Sequence, residues 1–158
     1  MSEAAAQRPS ALAAQRIEVS KRCVQALNER DFDAYLECLT PDFVLCTAAE
    51  APGGSFEVTR AHLIRFFLEF LPQWDGVRYE FVDGPQAIGD ERVIARDRWI
   101  GTPRGSGREQ AMDFYSVATY RGLRACRVDI FIARDAAYEF ARTGKRVNDR
   151  PVPNGRPA

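Results

Sequence analysis

Apolar side chains recur at helical spacing in the first part of the chain and at every second position in the later part. Over residues 12–29, LAAQRIEVSKRCVQALNE, the side chains of Leu12, Val19, Cys23, Ala26 and Leu27 gather on one face and predict a long amphipathic helix. Residues 28–31 break that pattern. Asp31 can cap a second, short helix in which Phe32, Tyr35, Leu36 and Leu39 recur at i, i+3, i+4 and i+7. Thr40-Pro41 ends it, residues 43–47 read as a first strand, and a small-residue loop follows at 48–55. Thr59 is placed to cap a third helix, whose stripe of Leu63, Phe66, Phe67, Phe70 and Leu71 must cover a core before Pro72 stops it.

Beyond Pro72 the period changes to two. Val77, Tyr79 and Phe81 alternate with Arg78, Glu80 and Val82, and residues 92–100, 109–120 and 123–132 are again rich in β-formers. Turns are supplied by Gly-Asp-Glu at 89–91, by Thr-Pro-Arg-Gly-Ser-Gly at 102–107 and by Arg121-Gly122. Helices followed by an antiparallel meander predict an α+β fold with the helices on one face, closed by a last helix over 135–142. An apolar sheet face left over by this plan predicts a two-fold homodimer. Residues 1–11 and 143–158 are polar or rich in proline and glycine and read as disordered tails around one domain, 12–142.

Composition narrows the partners. The 22 Lys and Arg equal the 22 Asp and Glu, so no net field attracts nucleic acid or an anionic membrane. No leader-like or membrane-length apolar run is present, and a cytoplasmic location is expected. Cys23, Cys38, Cys46 and Cys126 form no CxxC pair and read as reduced core residues. No His, Cys or Asp cluster has ligand spacing, and the GSG at 105–107 lacks a following helix, so neither metal nor cofactor is expected.

Three phrases in order, ALNERDFDAYLECLTPDFVL, TRAHLIRFFLEFLPQW and GSGREQAMDFYSVATYRGLRACRVDIFIARDAAYEFA, resemble the SnoaL-like members of the nuclear-transport-factor-two superfamily over nearly the whole fold. The resemblance implies a cystatin-like cone, with N-terminal helices packed on a curved, mainly antiparallel sheet that encloses a pocket. It also implies a cofactor-free enzyme performing acid-base isomerisation, cyclisation, dehydration or epoxide hydrolysis on a mostly apolar small molecule. The alternative is a non-catalytic small-molecule-binding or dimerisation module of the same fold. Against the ketosteroid isomerases, Thr47 stands at the position of the strand-one base and Cys23 at that of the helix-one tyrosine, which argues against that chemistry. Against the limonene epoxide hydrolases, Asp129 falls near the second catalytic aspartate and Arg96-Asp97-Arg98 in the strand of the Arg-x-Asp pair, without the intact triad. Ser116 stands where many SnoaL-like sequences have histidine.

Asp129 is the first catalytic candidate, because its strand is otherwise apolar on both sides and an ionised carboxylate enters such a strand only with a partner. It is either a cavity carboxylate able to take a proton or half of an ion pair with Arg127, Arg98 or Arg96. Asp97 is the second. It shares a face with Ala95 and Trp99 while Arg96 and Arg98 share the other, and burial of Trp99, favoured by about 2 kcal/mol or more, turns Asp97 inward. With the opposite orientation Arg96 and Arg98 would line the pocket and suit a carboxylate or enolate oxygen, and Arg127 is a further candidate for binding substrate. Tyr115 and Tyr35 are candidate donors to substrate, and Phe66 is candidate pocket wall. His62, the single histidine, is a weaker candidate, since it sits in the first turn of a helix where a surface or capping role suffices.

Overall fold

The computed structural model describes residues 8–48 and 56–146. Its elements run α1 (Ala11–Glu29), α2 (Phe32–Glu37), β1 (Leu39–Cys46), β2 (Glu57–Thr59), α3 (Arg60–Phe70), β3 (Trp74–Ile88), β4 (Arg92–Pro103), β5 (Gln110–Arg121), β6 (Arg124–Phe131) and α4 (Arg134–Thr143). The strands form one six-stranded sheet in the order β2-β1-β6-β5-β4-β3. All neighbours are antiparallel except β1 and β6, which lie parallel.

Local chemistry sets the helix ends. The Ser10 hydroxyl accepts the Ala13 N–H at 3.1 Å, and the Asp31 carboxylate accepts that of Ala34 at the same distance, starting α1 and α2. Arg30 between them takes φ 58°, the left-handed turn that ends α1. The buried Arg16 fastens α1 to the strand hairpins, its guanidinium donating to the Gly122 carbonyl at 2.9 Å and to that of Asp90.

Helices α1 to α3 pack on one face of the sheet around Val19, Tyr35, Phe43, Leu63, Phe67 and Tyr120. A second core lies on the other face, where Ala137, Phe140 and Ala141 of α4 meet Ile94, Val117 and Phe131. This corrects the expectation that the helices share one face. The middle of the sheet is covered on both sides, which is why β6 carries apolar side chains on both faces, Val128 and Ile130 on one and Phe131 on the other.

Strand β1 begins four residues before the expected 43, so Thr40-Pro41 lies inside it. Its register against β6 shifts between Leu39 and Val44, and this irregular stretch tolerates a proline that has no N–H to donate. Strand β2 is too short for any alternation to announce it. The expected tails and the loop at 48–55 fall mostly outside the described residues. Of the stretch assigned to a tail from 143, Thr143 closes α4 and Arg146 packs back on the sheet through its guanidinium. Among the described residues no helix is long and apolar enough to cross a membrane.

Candidate active site

A cavity of about 580 Å³ lies between the inner sheet face and helices α1 to α3. The inner face of β4 contributes Ala95, Asp97 and Trp99, the alternation that a strand imposes. Ser116 of β5 stands opposite Ala95 and therefore diagonally beside Asp97. Its hydroxyl donates to Asp97 Oδ2 in a short hydrogen bond. Asp97 Oδ1 receives no hydrogen bond from the described residues. Among the described residues no Lys, Arg or His side chain lines the cavity, and Asp97 is the one carboxylate that does.

Asp97 is 5% exposed. Burial without a counter-charge disfavours its ionised form and pushes its pKa from 3.8 up to about 7, while the Ser116 hydroxyl pulls the other way. A carboxyl poised there takes or gives a proton at neutral pH, which an exposed aspartate does poorly.

Trp99 forms the wall beside it. Its indole packs edge-on against Trp74, with centroids 4.4 Å apart, and tilts against Phe70 at 6.0 Å. Gly101 makes the room, because a Cβ there would lie 3.0 Å from Trp99 Cζ2 and 3.1 Å from Val77 Cγ2. Tyr35 of α2, Tyr79 of β3 and Tyr120 of β5 also line the cavity, with the Tyr120 hydroxyl bonded to that of Ser20 at 2.6 Å.

Asp129 lies elsewhere. It alternates with Val128 and Ile130, which do line the cavity, so its carboxylate emerges on the opposite sheet face, fully buried. Arg127 grips it through Nε to Oδ2 at 2.8 Å and Nη2 to Oδ1 at 3.0 Å, and Arg146 adds Nε to Oδ1 at 2.8 Å. The same Arg146 donates to the carbonyls of Thr47 and Cys46, lacing the end of α4 to the end of β1. Of the two arrangements open from the sequence, the structure shows the ion pair, with Arg146 as the partner the sequence did not suggest.

The remaining candidates divide. Trp99, Tyr35 and Phe66 line the cavity; Tyr115, Arg98, Arg127 and His62 do not. Tyr115 faces outward toward Tyr138, with centroids 6.5 Å apart. Arg98 is held by Asp113 through Nε at 2.7 Å and Nη2 at 3.0 Å, joined by Arg96 at 2.9 Å. His62 is exposed, and its Nδ1 shares a 2.9 Å hydrogen bond with Thr59 Oγ1, which accounts for both residues at the start of α3. Sequence reasoning passed over Tyr79 as a ligand contact. Its signal was present: Tyr79 and Phe81 alternate on the strand that precedes β4, so both face inward once Trp99 does. Among the described residues no three His, Cys, Asp or Glu side chains gather as a metal site.

The SnoaL-like domain family matches residues 21–128, and the chain belongs to it. No curated protein matches it significantly. Solved structures share the fold. AclR of Streptomyces galilaeus, a proposed hydroxylase, is 17% identical with TM-score 0.63 over 77% of this chain and 90% of its own. An uncharacterised cystatin-fold protein of Novosphingobium aromaticivorans is 23% identical with TM-score 0.60 over 73% and 97%. A proposed polyketide cyclase of Xanthomonas campestris pv. campestris is 19% identical with TM-score 0.60 over 78% and 93%.

Proposed function

We propose that the protein is a small-molecule enzyme of the SnoaL-like kind that moves a proton on a neutral, mostly apolar substrate, with Asp97 as the acid-base group. The observation that carries this reading is a solitary buried carboxyl, without counter-charge, facing a cavity large enough for a bicyclic or larger substrate. In its ionised form Asp97 Oδ1 accepts a proton from an activated C–H or from water, and the protonated carboxyl returns it to carbon or oxygen. Ser116 keeps the carboxyl in one rotamer through Oδ2. That cycle suits isomerisation, aldol-type cyclisation, dehydration or epoxide opening alike. Two structural neighbours carry enzyme names, a proposed hydroxylase and a proposed polyketide cyclase.

The test is a panel of neutral aromatic ketones, 1,3-diketones and epoxides in heavy water, followed by NMR for exchange at carbon and by mass spectrometry for products. Wild type is expected to act on members of the panel, and Asp97→Asn to be slower by about 10²-fold or more while still binding them. Retention of the rate by Asp97→Asn rules out the assignment. A second reading, a non-catalytic binding module, draws on the predominantly apolar wall; recovery of every bound compound unchanged and unexchanged would favour it.

A further inference from the structure

The cavity has two polar regions, and only one of them holds Asp97. Across the β3–β4 ladder Phe81 stands opposite Asp97 and Tyr79 opposite Trp99, so Tyr79 is the diagonal neighbour of Asp97. Their backbones are about 7–8 Å apart, roughly the length of a fused ring pair. Tyr35 comes from α2 to the same side, where its ring meets the edge of Phe67 at 5.9 Å.

The hydroxyls of these phenols are not equivalent. Tyr120 is committed to Ser20. Those of Tyr35 and Tyr79 bond to no atom of the described residues, yet neither is among the polar atoms that are both fully enclosed and unpartnered there, which are Arg60 Nε, Arg92 Nε and Trp99 Nε1. Both residues line the cavity, and each hydroxyl has a hydrogen to donate. Burial, and for Tyr35 also the neighbouring thiols and phenols, pushes both phenols up, Tyr79 to about 12, so both remain neutral donors wherever the protein is folded. A buried donor without an acceptor is a loss that an occupant can recover.

The Asp97 region selects by charge. With Asp97 on the wall and no Lys, Arg or His among the described residues that line the cavity, an anionic ligand would meet a carboxyl and no such cation to offset its desolvation. We infer that Tyr35 and Tyr79 form an acceptor-oxygen subsite beside Asp97 in the same cavity, and that the ligand is a neutral, rigid, apolar molecule carrying two oxygen functions about a fused ring pair apart. Carboxylates and phosphates are excluded. This inference rests on the reading of Asp97 as the reacting end, but its test uses binding alone, so it succeeds or fails independently of turnover.

The probes are 2-naphthol, 2,6-dihydroxynaphthalene and 2-naphthoate, titrated at pH 7 and followed by quenching of Trp74 and Trp99 fluorescence. In the wild type the second hydroxyl should tighten binding about 3- to 10-fold, the worth of one neutral hydrogen bond. In Tyr35→Phe/Tyr79→Phe, which keeps both rings, that ratio should fall to within about twofold of unity. The naphthoate should bind at least about tenfold more weakly than 2-naphthol to the wild type, an arm that needs no variant. An unchanged diol-to-naphthol ratio in the double variant overturns the subsite, and naphthoate binding as tightly as 2-naphthol overturns the exclusion of anions.

Discussion

Two aspartates, Asp97 and Asp129, are each almost completely removed from water in the same sheet and have opposite surroundings. Asp129 meets two guanidinium groups, and its charge is matched where it lies. Asp97 meets one hydroxyl and an apolar wall, and among the described residues no cation matches its charge. Burial alone therefore says little about function; the company of the buried group decides. A paired carboxylate is locked into its ion pair, whereas an unpaired one beside an open cavity is free to exchange a proton.

The largest effect expected from this contrast is on turnover. Asp97→Asn should lower the rate by 10²- to 10⁴-fold, read as kcat/KM once a substrate is found, while Asp129→Asn should leave kcat/KM within about tenfold after allowance for its folded fraction. Equal losses in both would break the distinction.

Stability should respond in a pH-dependent way at Asp97. Below about pH 4 both the folded and the unfolded chain hold the Asp97 proton, and the group is neutral in the balance. Between about 4 and 7 the unfolded chain releases it while the fold retains it, so the fold loses relative stability as pH rises, then levels off above the folded pKa of about 7. Asp97→Asn removes this loss. The variant should gain on wild type as pH rises from 4 to 7, by up to about 4 kcal/mol, in urea denaturation at successive pH values. A difference flat with pH would contradict the raised pKa.

At Asp129 the direction reverses. Asp129→Asn at pH 7 leaves the Arg127 and Arg146 guanidinium groups facing a neutral amide and should cost roughly 3 kcal/mol, or a fall of about 10 °C in Tm by calorimetry. A Tm within a degree or two of wild type would show that the clamp adds nothing. The smallest effect is at Ser116. Ser116→Ala removes the hydrogen bond that lowers the Asp97 pKa, so the rising limb of the rate profile should move to higher pH, with stability changed by about 1 kcal/mol. Ser116→Thr, which restores a hydroxyl, should return the limb toward its original place.

The same contrast explains what could be read from the sequence. The period-two runs and turn residues of β3 to β6 made the meander legible, and the bulk of Trp99 was enough to turn Asp97 inward. The face of Asp129 was not legible. Strand β6 is packed between helices α1 to α3 and helix α4, so Val128, Ile130 and Phe131 are apolar on both sides and alternation carries no sign. The clamp from Arg146 depends on chain that returns from beyond α4, a long-range contact with no local trace. Tyr115 and Arg98 were misplaced for a related reason: each has a plausible apolar or charged setting on either face, and only the register with Trp99 fixes which. Ser116 was visible through the family resemblance, but its partner was not.

The central claim, that Asp97 is an unpaired cavity carboxyl poised near neutrality, is tested most directly by its own titration. Side-chain carboxyl ¹³C shifts of labelled protein, with Asp97→Asn supplying the assignment, should show Asp97 titrating with a midpoint at about 7. A midpoint at or below the ordinary 3.8 would contradict the account.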